Sequence, residues 1–245
     1  MEVSAEHQIH IHPTAELAER VLLPGDPGRA MRLAQELLDE PKMFNHNRGL
    51  WGYSGLAPDG RPLTIQSTGM GGPSAAIVVS ELVTLGARQL LRVGSCGALG
   101  DELELGELVV VARALGEDGT SRALSGAAEL APVSASAALS RSLLAAGAAA
   151  AGGATKAVTA VSTDLFYDAG DRHQRWRAAG AAVVEMESAA LFTLAALRGV
   201  EAGAVMLVSD LLGNGHVRIG TEQLATAELA LGRLALEALC EASAQ

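Results

Sequence analysis

Only two cysteines, Cys96 and Cys240, occur among the 245 residues, far apart in the chain. That scarcity excludes a disulfide-stapled scaffold and fits a reducing cytoplasm. Basic residues are also in deficit: 18 Lys and Arg stand against 28 Asp and Glu, a formal net charge of −10. A field of that sign disfavours nucleic acid and acidic membrane surfaces as partners, so any anion has to be held by a local cluster of arginines. Long apolar runs are missing as well. The most biased stretch, Leu143 to Ala154, is alanine and glycine over too short a span to cross a bilayer. Residues 1–12 lack the basic start and apolar core of a signal peptide, so a soluble protein is expected. His7, His10 and His12 gather near the start and invite a metal reading, but no cysteine or carboxylate cluster completes the set, and no metal is expected.

What the chain has is 49% hydrophobic residues, enough for one substantial core. Helical spacing runs from Arg29 to Leu38, where Ala30, Leu33, Ala34, Leu37 and Leu38 share a side. Met43 to Asn47, Leu50 to Leu56 and Pro62 to Ser67 read as strands, the last two joined by a turn at Pro58-Asp59-Gly60. A helix is expected over Ser74–Leu85, strands over Gln89–Val93 and Leu108–Ala112, and irregular loop from Leu115 to Pro132. Beyond these come a helix over Ser134–Ala151, a strand over Ala157–Val161, a loop over Asp164–Asp171 and a helix around Arg172–Ala179. A strand over Ala182–Val184, a helix over Ser188–Leu197, a strand over Ala202–Val208 and a terminal helix from Thr221 complete the pattern. Strands alternating with helices predict an α/β fold, a three-layer α/β/α arrangement with a central mixed sheet flanked by helices. No repeat or linker divides it, so residues 1–245 are expected to form a single domain.

Four polar features fall at predicted strand ends: Gly25 to Arg29, Arg92 to Ser95, Glu185 to Glu187, and Ser209-Asp210. Ligands in open α/β sheets collect beyond the carboxyl ends of strands, so these segments are expected to line one pocket. Gly25 and Gly28 allow close backbone approach, and Arg29 adds a planar charged fork suited to phosphate; the plain alternative is a strand-to-helix turn with a solvated arginine. Arg92 sits inside an apolar strand, where burial calls for a ligand or an ion pair with a carboxylate.

The set Gly25-Asp26-Pro27-Gly28-Arg29, Gly69-Met70-Gly71, Arg92-Val93-Gly94-Ser95-Cys96-Gly97, Leu165-Phe166-Tyr167, Val184-Glu185-Met186-Glu187 and Ser209-Asp210 resembles the nucleoside phosphorylases of the trimeric and hexameric type. These include bacterial purine nucleoside phosphorylase and uridine phosphorylase, and the resemblance runs in order from about residue 7 to 240. It implies that Gly25, Arg29, Arg92 and Ser95 bind phosphate, with Arg48 contributed by a neighbouring subunit, or else a solvated strand-end charge. Met70, Met186 and Glu187 resemble the ribose site; the alternatives are core packing for the methionines and a helix N-terminal charge for Glu187. An N-terminal histidine, His10 before His7, is implied to cross a subunit interface onto the ribose. In a chain with 3% aromatic residues, Phe166 resembles the ring that stacks on the base, with Val184, Glu185 and Ser209 around it; its alternative is a core anchor.

The implied chemistry is phosphorolysis of a purine nucleoside to free base and ribose 1-phosphate, in a homohexamer or trimer of dimers. Inorganic phosphate is a co-substrate and no cofactor is needed. Phosphate and Glu187 stabilise the oxocarbenium-like sugar, and Asp210 resembles the general acid that protonates the purine imidazole nitrogen. Burial at the end of an apolar strand favours the protonated carboxyl, whereas a turn cap is the plain alternative. Arg218 is the nearest candidate for the arginine that orients this acid, at a spacing that departs from the family's, in a glycine-containing stretch that reads as a lid. Uridine phosphorylase is the alternative, set apart by Asp210; a hydrolytic nucleosidase would not need Arg29 and its loop. Gly94 to Gly100 lacks the spacing of a dinucleotide fingerprint, which argues against an oxidoreductase. A non-catalytic nucleoside-binding protein stays open at this point.

Overall fold

A computed structural model describes residues 8–149, 155–167, 171–213 and 216–242. The chain begins its sheet with β1 (Arg20–Leu23), four consecutive buried residues, as befits a strand covered on both faces. Helix α1 (Pro27–Leu37) follows at once. Its start is set by Asp26, whose carboxylate accepts the N–H groups of Gly28 (3.2 Å) and Arg29 (2.7 Å), with Pro27 in the first turn. Three antiparallel strands come next: β2 (Asp39–Asn45), β3 (Gly52–Leu56) and β4 (Pro62–Gln66), and β4 returns parallel to β1.

Helix α2 (Gly72–Leu85) leads into β5 (Gln89–Ala98), which pairs in parallel with both β1 and a late strand, β10 (Glu201–Leu211). Between them lie β6 (Leu108–Gly116), α3 (Gly119–Ser125), β7 (Ala131–Ser134), α4 (Ala137–Ala149), β8 (Lys156–Ser162), α5 (Arg172–Ala178), β9 (Val183–Glu185) and α6 (Ser188–Arg198). The two-residue β11 (Val217–Arg218) and the long α7 (Thr221–Ala242) close the chain. Helices α2, α3 and α6 contact one another on one face of the sheet, and α1, α4 and α7 pack around the other. One core lies under each layer: Val78, Leu82, Phe192 and Met206 belong to the first, Leu33, Leu91, Leu143 and Leu239 to the second.

The sheet is mixed and flanked by helices, as expected, and it also closes on itself. Its order β10-β6-β8-β9-β5 is joined end to end by the β10–β5 pairing, so five strands form a ring. Strand β5 is the pivot. On one edge it pairs with β1 as far as Leu23–Arg92, then with β9 from Val184–Gly97 onward. Between those ladders, Val93 to Cys96 face a fork where the two neighbours diverge.

Several expectations are corrected. β5 runs to Ala98 and β10 to Leu211, so Arg92, Ser95 and Ser209 lie within strands; what ends beside Arg92 is its neighbour β1. The stretch read as loop from Leu115 to Pro132 holds α3 and the start of β7. Asp118 caps α3 by accepting the Ser121 N–H at 2.7 Å, and Gly126 ends it at φ 67°. The stretch read as a lid after Asp210 contains β11, which pairs antiparallel with β10. The expected end of the Ser134–Ala151 helix and part of the Asp164–Asp171 loop lie outside the described residues.

One ion pair, between buried Arg20 and Asp59 at the surface, anchors the start of β1. Arg20 grips both carboxylate oxygens of Asp59 at 2.7 and 3.1 Å and donates to the carbonyl of Arg61 at 3.1 Å. Arg20 holds the Asp59 carboxyl well below the usual carboxylate range. A depressed folded-state value gives stability that is present above the unfolded value near pH ~4 and lost as pH falls below it. Asp59 lies at the surface, where solvent screens the pair, so Asp59→Asn is expected to lower stability at pH 7 by about 1 kcal/mol. Denaturant melts of both proteins should differ clearly at pH 7 and less at pH 3.

Candidate active site

The fork beside β5 is where charge is concentrated. Arg92 is 5% exposed, and its guanidinium is shared between two carboxylates: Nε donates to Glu185 Oε2 at 3.2 Å, and Nη2 contacts Glu187 Oε2. Burial disfavours the Arg92 charge, but Glu187 and Glu185 outweigh it and raise its value. Its third nitrogen, Nη1, is buried and has no hydrogen-bond partner among the described residues. Gly94 makes room for this group, since a Cβ there would stand 2.8 Å from Met206 Sδ and 3.0 Å from Arg92 Cζ. The ion pair read as the alternative for Arg92 is thus present, and it still leaves one donor unspent.

Glu187 ties the fork to the second glycine loop. Its Oε1 accepts the Gly71 N–H at 2.5 Å, and Gly71 adopts φ 84°, a conformation natural to glycine. Burial pushes the Glu187 carboxyl up, against the pull of Arg92. The same loop reaches the first motif, because Gly69 N–H donates to the Gly25 carbonyl at 3.1 Å. Met70, between the two glycines, is 85% exposed, and Met186 is partly buried beside Glu187, so neither is a fully buried core residue. Arg29 comes from the first turn of α1 toward the same gap. Its Nη1 donates to the Val93 carbonyl at 3.3 Å and Nη2 to Glu228 of α7 at 2.7 Å, while Nε is buried without a partner among the described residues. Ser95 is half-buried on the forked stretch of β5.

Glu185 differs from its expected place at the base edge. Its carboxylate takes Arg92 Nε, the Ser162 hydroxyl, and the N–H groups of Glu187 (2.9 Å) and Ser188 (2.9 and 3.0 Å). At 4% exposure its oxygens are committed to shaping the start of α6 and orienting Arg92. Val184 pairs with Gly97 at the mouth of the fork. From the same place, Thr163 N–H donates to the Glu185 carbonyl, and the chain continues to Phe166, which stands 60% exposed and edge-on to Tyr167 at 5.0 Å. Phe166 is therefore no core anchor.

Asp210 lies on β10 opposite Gly97, just past a bulge at Ser209. Ser209 also departs from a base contact: its hydroxyl donates to Asp210 Oδ2 at 2.7 Å, with the Cys96 carbonyl 3.3 Å away as the alternative acceptor. Oδ1 meets His216 Nε2 at 2.8 Å and Arg218 Nη1 at 3.5 Å. Antiparallel pairing of β11 with β10 brings Arg218 opposite Asp210 in spite of the unusual spacing. His216 was not anticipated. Its position six residues after Asp210 and two before Arg218 is the signal in the sequence that points to it.

The two residues tied to a neighbouring subunit stand apart from this cluster. The ring of His10 is held by Glu81 of α2, Nδ1 to Oε1 at 2.8 Å, and Glu81 also accepts the Ile11 N–H at 2.7 Å. Asn47 donates to the His10 carbonyl at 3.1 Å, which sets the segment against a 3-10 turn, Asn47–Gly49. At its centre Arg48 is exposed, has φ 56°, and makes no hydrogen bond or ion pair among the described residues. His7 lies outside the described residues.

Among the described residues no group of three or more His, Cys, Asp or Glu side chains stands together to hold a metal, and no helix is long and apolar enough to cross a membrane. A cavity of about 1090 Å³ opens at the opposite end of the sheet, lined by Arg20, Gln89 and Glu201 where β1, β5 and β10 begin. The buried donors of Arg29 and Arg92 without partners among the described residues and the glycine loops lie instead at the fork, and chemistry follows those rather than volume.

Residues 19–240 match the model of the Phosphorylase superfamily. Among curated relatives, the DeoD-type purine nucleoside phosphorylase of Caldanaerobacter subterraneus subsp. tengcongensis is 35% identical over 86% of this chain and 90% of its own. That of Alkaliphilus metalliredigens is 34% identical over 91% and 94%. Among solved structures, uridine phosphorylase from Vibrio fischeri ES114 superposes with a TM-score of 0.83 at 30% identity, covering 96% of this chain and 97% of that one.

Proposed function

The chain belongs to the Phosphorylase superfamily, and from that premise we propose that it catalyses phosphorolysis of purine nucleosides, giving free base and ribose 1-phosphate. It is a pentosyltransferase, and inorganic phosphate is its co-substrate, with no cofactor. Support comes from the DeoD-type relatives, about a third identical over most of the chain. The observation that carries the reading is the one set of side chains around the fork: a buried arginine with an unspent donor at one end and a buried, hydrogen-bonded carboxyl, Asp210, at the other.

In this reading Arg92, Arg29, Ser95 and the Gly25 turn hold phosphate, with Arg48 reaching in from a neighbouring subunit. Arg92 spends its third nitrogen on the anion while Glu185 and Glu187 keep its plane fixed. Glu187, freed in part from Arg92 by the phosphate, takes the ribose hydroxyls; Met70 and Met186 pack on the sugar, and a neighbour's His10 covers it. Phe166 stacks on the base beside Val184. As the glycosidic bond lengthens, positive charge grows on the ribose between phosphate and Glu187. Asp210 protonates the purine imidazole nitrogen, with Ser209 and Arg218 orienting the carboxyl. Residues 1–245 act as one domain in a homohexamer of the cytoplasm, with active sites shared between subunits.

Uridine phosphorylase is the second reading, favoured by the structural likeness to the Vibrio fischeri enzyme. A pyrimidine offers no imidazole nitrogen, so Asp210 and its partners weigh toward purines. Incubation with inosine, guanosine, adenosine and uridine, each with and without phosphate, tests the choice. Phosphate-dependent release of purine bases is expected, and release of uracil alone would overturn it.

A further inference from the structure

Asp210 has a closer partner than the arginine expected for it. His216 Nε2 lies 2.8 Å from Asp210 Oδ1, against 3.5 Å for Arg218 Nη1. Described residues on either side of His216 are hydrogen-bonded to the sheet: Leu212 N–H donates to the Ala98 carbonyl and Ile219 N–H to the Ser209 carbonyl, each at 2.9 Å. The two side chains differ sharply in contact with water. The Asp210 side chain is 11% exposed and that of His216 is 58% exposed, so the ring touches the carboxyl on one side and solvent on the other.

We propose that His216 reloads Asp210 with its proton between turnovers, an inference that rests on the purine reading. A general acid gives up its proton in each cycle and has to recover it. Of the groups touching Asp210, the guanidinium of Arg218 and the Ser209 hydroxyl are both far too weak as acids to give a carboxylate its proton. The imidazole of His216 is the one side chain among them of a type that serves as a proton shuttle. The balance is complete. The C1′–N9 bond breaks with its electrons going to the purine, Asp210 gives its proton to N7, and a phosphate oxygen bonds to C1′ while hydrogen phosphate releases its own proton to solvent. His216, as imidazolium, then passes the Nε2 proton to the Asp210 carboxylate and takes another from solvent. His216 is thus a proton-supplying and positioning residue that acts through Asp210, and Arg218 holds the carboxyl in place.

The test uses the full chain, with saturating phosphate and two substrates. Inosine needs a proton on its leaving base, whereas 7-methylguanosine, already cationic at its imidazole ring, needs none. His216→Ala is expected to lower kcat on inosine about 10- to 100-fold, with KM within about threefold, and to cost 7-methylguanosine turnover less than about threefold. His216→Gln keeps a donor at Oδ1 without a transferable proton and should be as slow as His216→Ala. Added imidazole should restore part of the inosine rate to His216→Ala. Normal inosine turnover in His216→Ala, full activity in His216→Gln, or equal losses on both substrates would each overturn the proposal. A wild-type protein that phosphorolyses uridine and no purine nucleoside would instead remove the reading on which it rests, and the proposal with it.

Discussion

Arg92→Ala is expected to lose both phosphate use and stability. Arg92 is buried between Glu185 and Glu187, and removing it leaves two carboxylates facing each other in the interior without their cation. Breaking a buried pair in this way costs about 3–5 kcal/mol, because the uncompensated charges stay behind. The catalytic loss adds to it. The free Nη1 is the donor assigned to phosphate, and removal of one such donor lowers rates about 10²- to 10³-fold. The losses separate in Arg92→Lys, which keeps the charge but not the planar fork. It should recover much of the stability, read from denaturant midpoints, while kcat/KM for phosphate stays depressed. Normal phosphate kinetics in a folded Arg92→Ala protein would remove Arg92 from the anion site.

For Asp210→Asn the expected effect falls on kcat. Asparagine fills the same space and can still meet Ser209, His216 and Arg218, so binding is largely retained, but it has no proton to give. General acid catalysis contributes about 10²- to 10⁴-fold, and a drop of that size is expected with inosine and adenosine at nearly unchanged KM. Steady-state kinetics on both nucleosides checks it, and unchanged turnover would exclude Asp210 from the mechanism.

The legible and the illegible parts of this chain divide by range of interaction. Helix α1 was readable because its apolar spacing and its start at Asp26-Pro27 are local. The loop that proved to hold α3 carried a local signal too, Asp118 three residues before Ser121 and Gly126 after it, but its apolar face is small. Closure of the sheet was not readable, since pairing of β10 with β5 joins residues more than a hundred apart and nothing in either strand names its partner. The same holds at the site. Glycine loops, Arg92 and Asp210 stood out as residue types out of place in apolar strands. The use of Glu185 as a brace for Arg92 and α6, of Ser209 as a clamp on Asp210, and the bond from Arg29 to Glu228 depend on side chains meeting across the fold. Among the described residues, Arg48 and His10 make no hydrogen bond to the cluster that they are expected to serve, His10 bonding Glu81 instead, and such a role is legible only once an assembly is considered.

The central claim is that the anion at the fork is a reactant. Phosphorus NMR of the protein with inosine and phosphate, followed alongside hypoxanthine release, tests it most directly. The account predicts a ribose 1-phosphate signal growing one-for-one with free base. Base release with inorganic phosphate unconsumed, or binding with no release at all, would contradict it.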